Sequence, residues 1–175
     1  MISIICGIIV FISILIIIIK VRSDNLKLQN KKVTLSKIKV QKVLEERFSL
    51  LVELQNEFSK EKKFKDFSLE LKTDYENDYF KLNAILNDAT KDVKDFLDSK
   101  RKYKINDTIN NLLLEINNKE IECNAYKKYY NDNVVILNNL INKSFTKSIA
   151  KVNNIKHLEL YNDPVVVEFE ILKKK

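Results

Sequence analysis

Few side chains here are of types that could do chemistry. The 175-residue chain has one histidine, His157, and two cysteines, Cys6 and Cys123. A zinc site needs three or four His, Cys or carboxylate ligands brought together. His157 has no Cys and no second His near it in sequence, so no metal centre is predicted. Cys6 sits in an uncharged apolar run and Cys123 on the apolar face of a helical pattern. A disulfide between them is not expected, and Cys123 reads as a small core residue. The 24 acidic residues are interspersed with lysines, and none is spaced to set a general acid against a general base. Gly7 and Pro164 are the only glycine and proline. Phosphate loops and dinucleotide fingerprints therefore cannot be written in this chain, and sheets built on tight hairpins are not expected. No catalytic residue, cofactor or small-molecule substrate is predicted, and the chain is read as a non-enzyme.

One spacing stands out. Asn110, Asn117, Asn124, Asn131 and Asn138 recur every seven residues. Such a ladder could fix register against a partner helix. Asparagine is abundant in this chain, however, and the series flanks the apolar seam by one residue, a position that is normally solvated. The solvated flank is the preferred reading.

The elements that carry these residues begin with the apolar run 1–19, which holds neither a charge nor a proline. As a helix it spans about 28 Å, close to the thickness of a bilayer's hydrocarbon core. Ile4, Ile8, Phe11, Leu15 and Ile19 mark the anchor. A cleaved signal peptide would need a charged leading region, a shorter apolar core and a small-residue cleavage site, and these are lacking. Lys20, Arg22, Lys27, Lys31 and Lys32 follow the run, and no positive side chain precedes it. The flanking charge predicts a single-pass protein of the cell (inner) membrane, its N-terminus outside and its domain cytoplasmic.

The net charge is +7, from 31 basic and 24 acidic residues. Of the basic residues 28 are lysine, whereas nucleic-acid sites favour arginine for bidentate phosphate binding. No compact basic stripe interrupts the mixture, so nucleic acid is not an expected partner. The juxtamembrane lysines suit an anionic lipid surface.

Beyond the anchor the pattern is helical. A first helix is predicted from about Asp24 to Ser59, with Leu35, Ile38, Val43, Leu44, Phe48, Leu51, Leu54 and Phe58 on one stripe. A lysine-rich connection at 60–65 leads to a second helix over 66–99. In a third, over 107–142, Ile109, Leu112, Ile116, Cys123, Tyr126, Tyr130, Val134, Leu137 and Ile141 recur at steps of three, four or seven. Asn106 or Asp107 is its expected cap, and Glu115 and Lys119 an expected i,i+4 pair. Residues 146–157 suit a fourth, shorter helix. After Pro164, VVVEFEIL alternates like a strand, which could pair with another chain, lie on the bundle or stay unstructured.

The third helix also carries a resemblance. Glu120, Lys127, Tyr130-Asn131, Val134, Asn138 and Ile141 follow the order of a C-terminal signature of the LemA family. Lys104, Asn106, Ile109, Leu112 and Ile116 fit that family's Lys-x-Asn run, and Ile38, Val40 and Gln41 its Ile-x-Val-Gln motif. The second Tyr-Asn is Leu137-Asn138 here, and three family prolines are missing. The resemblance implies a bacterial, membrane-anchored helical bundle, and it carries over no catalytic activity.

The expected fold is all-α: a single transmembrane helix followed by an elongated antiparallel three- or four-helix bundle. The expected division is anchor 1–22, bundle 23–160 and tail 161–175. The expected function is a non-enzymatic scaffold or adaptor for a protein partner beside the lipid bilayer. The alternative is self-association through coiled coils into a structural stalk or membrane-organising assembly. The mixed steps and the interruptions at Lys119 and Asn133 weigh towards an intramolecular bundle.

Overall fold

The structure is a computed structural model and describes residues 2–69, 71, 78–100 and 105–161. Lys104 and the segment expected to form a strand lie outside the described residues. Among the described residues the secondary structure is all helical: α1 (Ile2–Lys60), a short 3-10 turn (Lys62–Phe64), α2 (Tyr79–Ser99), α3 (Asp107–Asn142) and α4 (Ser144–Val152). Contacts divide the chain into unit 1, Met1–Lys37 with Lys128–Leu160, and unit 2, Ile38–Lys127 with Tyr161–Lys175. α1 and α3 each contribute to both.

In unit 1 the core is Leu26 and Val33 of α1 with Tyr130, Val134, Leu137 and Ile141 of α3. Gln29 and Ser36 lie buried in the same α1 row. The Ser36 hydroxyl donates to its own helix at Val33 O (2.8 Å), which makes its burial cheap. The Gln29 amide donates to the backbone O and the side-chain O of Asn133, at 3.1 and 3.0 Å. Leu35 and Ile38, expected on the stripe, are instead about half exposed, at 52% and 54%. The buried row runs through 26, 29, 33, 36 and 40, where a Gln and a Ser hide the 3-4 rhythm from a count of apolar residues.

α4 stops at Val152 because Asn154 takes a left-handed conformation, φ 54°. Asn is one of the few residues that adopts it readily. Ile155 N then reaches Ala150 O (2.9 Å) and Asn154 N reaches Lys151 O (3.2 Å). This is a Schellman motif, with Asn in place of the usual Gly. The helix expected over 146–157 is thus shorter, and the chain beyond it returns along α3.

In unit 2, α1 and α3 are antiparallel: Glu61 meets Asn106 while Glu46 meets Lys119. α2 runs in the same sense as α1, since Tyr79 reaches Glu45 and Phe96 packs on Phe58. A parallel neighbour needs a long crossover, and the link from α1 to α2 supplies it. The second helix therefore starts at Tyr79 rather than near residue 66. Asp78 caps it, accepting from Phe80 N and Lys81 N at 3.0 and 3.1 Å. Earlier in the link, Phe64 in the 3-10 turn and Phe67 just after it join Phe58 and Phe96, with ring centroids 4.4–5.9 Å apart. Leu44, Leu51, Leu54, Leu82, Leu86, Val93, Ile109 and Leu113 fill the rest of the core. Each buried leucine stabilises the fold by roughly 1.5–3 kcal/mol.

Candidate functional site

The most unusual arrangement is a layer of charged and polar side chains inside unit 2. α1 contributes Arg47, α2 contributes Asn83, Asn87 and Thr90, and α3 contributes Glu120, Cys123 and Lys127. Arg47 and Thr90 are completely buried, and Glu120 and Lys127 nearly so. Arg47 Nη2 donates to Thr90 Oγ1 at 3.3 Å, and Nη1 to Asn87 Oδ1 at 3.5 Å. Nη2 also stands 3.9 Å from Glu120 Oε2. Thr90 passes its proton to Leu86 O (2.7 Å), leaving its lone pairs to the guanidinium. Arg47 Nε has no hydrogen-bond partner among the described residues.

On the next turn of α3, Lys127 Nζ donates to Asn83 Oδ1 at 3.1 Å. Burial pushes its pKa below the usual lysine range, and the Arg47 charge pushes the same way, while Cys123 and Glu120 oppose. Burial likewise raises the Cys123 thiol, against the pull of Arg47 and Lys127. A thiol held in its neutral form is a poor nucleophile. Arg47 faces the Glu120 carboxylate and Lys127 the Asn83 amide, and three helices must be aligned for the contacts to form. The arrangement suits the setting of axial register, the best-attested use of buried polar groups in helical seams.

At the rim of unit 2, Lys119 bridges Glu46 (2.7 Å) and Glu122 (2.9 Å). The hydrogen bonds it donates to Glu46 and then Glu122 hold it protonated well above the ordinary lysine range, and Lys119 in turn lowers Glu122. The expected partner Glu115 is not the one Lys119 uses.

In unit 1, Asn138 makes a reciprocal pair with Leu158: its Nδ2 donates to Leu158 O (2.9 Å) and its Oδ1 accepts from Leu158 N (3.1 Å). Nearby, Tyr130 Oη donates to Glu159 O at 3.1 Å. Burial raises the Tyr130 phenol, and the Glu159 charge adds to the effect. The asparagine flank is therefore not the solvated surface expected from sequence. All five members of the series are half-buried, and Asn138 clamps the returning chain.

The remaining motif positions scatter. Ile38 is exposed, Gln41 and Asn131 are half-buried and Val134 is in the core of unit 1. Asn106 caps α3, accepting from Ile109 N (2.8 Å) and donating to Glu61 Oε1 (2.8 Å). Of the motif positions, Glu120 and Lys127 join the polar layer. Arg47, Asn83 and Thr90 carried no sequence signal, because each is a polar residue at a core position. Lys127 was named in the resemblance, without a role.

Outward-facing apolar residues complete the description. Ile4, Ile8, Phe11, Leu15 and Ile19 are all exposed, at 38–67%. α1 is the one helix among the described residues that is long and apolar enough to cross a membrane. On α3, Leu114 (46%) and Ile121 (62%) project from unit 2, seven residues apart. No group of three or more His, Cys, Asp or Glu side chains able to hold a metal ion occurs among the described residues. The chain matches no family model, no curated protein and no solved structure.

Proposed function

We propose that this chain is a single-pass, membrane-anchored helical bundle, LemA-like and bacterial, that acts as a non-enzymatic scaffold or adaptor for a protein partner. The observation that carries the reading is an inversion on α3. Glu120 is turned in, 4% exposed, while its neighbour Ile121 is turned out at 62%. Leu114 is exposed one heptad earlier. Large apolar side chains left outward at helix-seam spacing are what a second helix or groove would cover. The uncharged, exposed start of α1 supports anchoring in the cell membrane. The flanking lysines support a cytoplasmic domain with the N-terminus outside.

The test is crosslinking in intact cells followed by affinity capture of the full chain. A specific second protein, lost in Leu114→Glu/Ile121→Glu, is the expected result. Absence of any crosslinked product that depends on these two residues overturns the adaptor role. The seven-residue spacing of Leu114 and Ile121 also favours a second reading, self-association into a structural assembly. In that case the same experiment yields ladders of this chain alone.

A further inference from the structure

α4 is built inside out for a helix in water. Its buried residues are small, Thr146 at 4% and Ala150 at 2% exposed, whereas Phe145 is 50% and Val152 82% exposed. Phe145, Ile149 and Val152 are spaced i, i+4 and i+7, so they form one apolar stripe, exposed at both ends and half-buried at Ile149. Lys147 and Lys151 lie on a different side of the helix, and Lys143 is its N-cap residue.

The place of this stripe in unit 1 matters as much as its composition. Ile19, the last residue of the apolar run, lines one shallow hollow together with Ser144, Phe145, Ser148 and Ile149. The α4 stripe thus continues the surface that α1 offers to lipid, at the level where Lys20 and Arg22 end the apolar run. The charge there has one sign. No acidic residue occurs in 2–23 or in 133–158, while Lys20, Arg22, Lys143, Lys147 and Lys151 all do. An apolar stripe beside a lysine-bearing side is the pattern of helices that lie in the plane of an anionic bilayer.

The geometry points to α4 as an interfacial helix: it lies in the headgroup layer of the anionic bilayer that α1 crosses, with Phe145, Ile149 and Val152 buried in it. The inference rests on the anchor reading of α1. It gives the protein a second membrane contact, made by a helix more than 120 residues along the chain from the first. The lysines of α4, on the side away from the stripe, then add to the positive field that Lys20, Arg22 and Lys143 set up at the headgroup layer.

The chain has no tryptophan, so one introduced indole reports alone. Phe145→Trp and Val152→Trp are compared with Phe11→Trp in the apolar run and Ile121→Trp on unit 2. The full-length protein is reconstituted in vesicles of equal parts phosphatidylcholine and phosphatidylglycerol, with bromine on the shallow acyl carbons. The indoles at 145 and 152 are expected to emit to the blue of the one at 121 and to be quenched several-fold more. Lys147→Glu/Lys151→Glu is expected to weaken that quenching. Quenching at 145 and 152 no stronger than at 121, with the indole at 11 still shielded and blue, overturns the inference and leaves the anchor standing. A water-exposed indole at 11 overturns both. Strong quenching that ignores the charge reversal overturns the anionic preference.

Discussion

Arg47 and Glu120 face each other 3.9 Å apart inside unit 2, one from α1 and one from α3, with side chains 0% and 6% exposed. Removing the carboxylate leaves a permanently charged, buried guanidinium beside the neutral side chains of Thr90 and Asn87. Glu120→Leu is expected to cost about 3 kcal/mol in denaturant unfolding of the full chain in detergent. Arg47→Met/Glu120→Leu is expected to cost less than Glu120→Leu alone, because apolar pairs often replace buried ion pairs without loss. A double variant worse than the single one contradicts the pairing.

Lys127 makes the alkaline limb of stability informative. Its folded pKa lies below its unfolded value, so between the two the unfolded chain binds more protons and stability rises with pH. Below the folded pKa the penalty of burying the charge is fully present. Lys127→Met removes that penalty, and its stability relative to wild type is expected to be greatest near neutrality and to shrink as pH rises through the alkaline range. Unfolding midpoints across that range check the slope. A constant difference contradicts a depressed lysine.

The clamp on the returning chain has its own signature. Asn138→Ala loses two hydrogen bonds to Leu158, each worth about 1 kcal/mol. Amide exchange at Leu158 is expected to accelerate by one to two orders of magnitude, by the same arithmetic. Exchange at an unchanged rate means the clamp holds nothing.

Asn154 offers a gain. Glycine is freer at a left-handed C-terminal position than asparagine, so Asn154→Gly is expected to stabilise the protein by a few tenths of a kcal/mol. Asn154→Ala is expected to destabilise it by about 1 kcal/mol. The two thermal midpoints should bracket that of wild type.

The register of α1 can be tested in the same way. Val33→Asp puts a charge into the core of unit 1 and is expected to cost at least about 3 kcal/mol. Ile38→Asp, on the exposed side, is expected to stay within about 0.5 kcal/mol of wild type.

That last pair also shows how far the sequence could be read. The apolar run, the helical class, the α3 stripe and the Asn106 cap all followed from local chemistry. Val43, Leu44, Leu51, Leu54 and Phe58 are buried as the α1 stripe required, but its earlier part did not follow, because the buried row there passes through Gln29 and Ser36 while apolar Leu35 and Ile38 face out. Pattern counting assumes that polar residues go outside. The polar layer breaks that assumption on three helices at once, and its contacts between helices join residues about 40 or more positions apart. The link between α1 and α2 runs on past the expected 60–65 connection for a related reason: Phe67 was placed on a helix face but instead packs with Phe58 and Phe96.

Gln29 and Asn133 touch across 104 residues of chain. In unit 1 the partners of Leu26 and Val33 all belong to α3 or lie beyond it. A ribosome adding about 5–20 residues each second needs roughly 5–20 s to deliver them. During that interval the α1 row has no native cover in its own unit, although the apolar run ahead of it is already made. Unit 1 closes late, so nascent chains arrested before α3 should bind chaperones, and chains released after α4 should not.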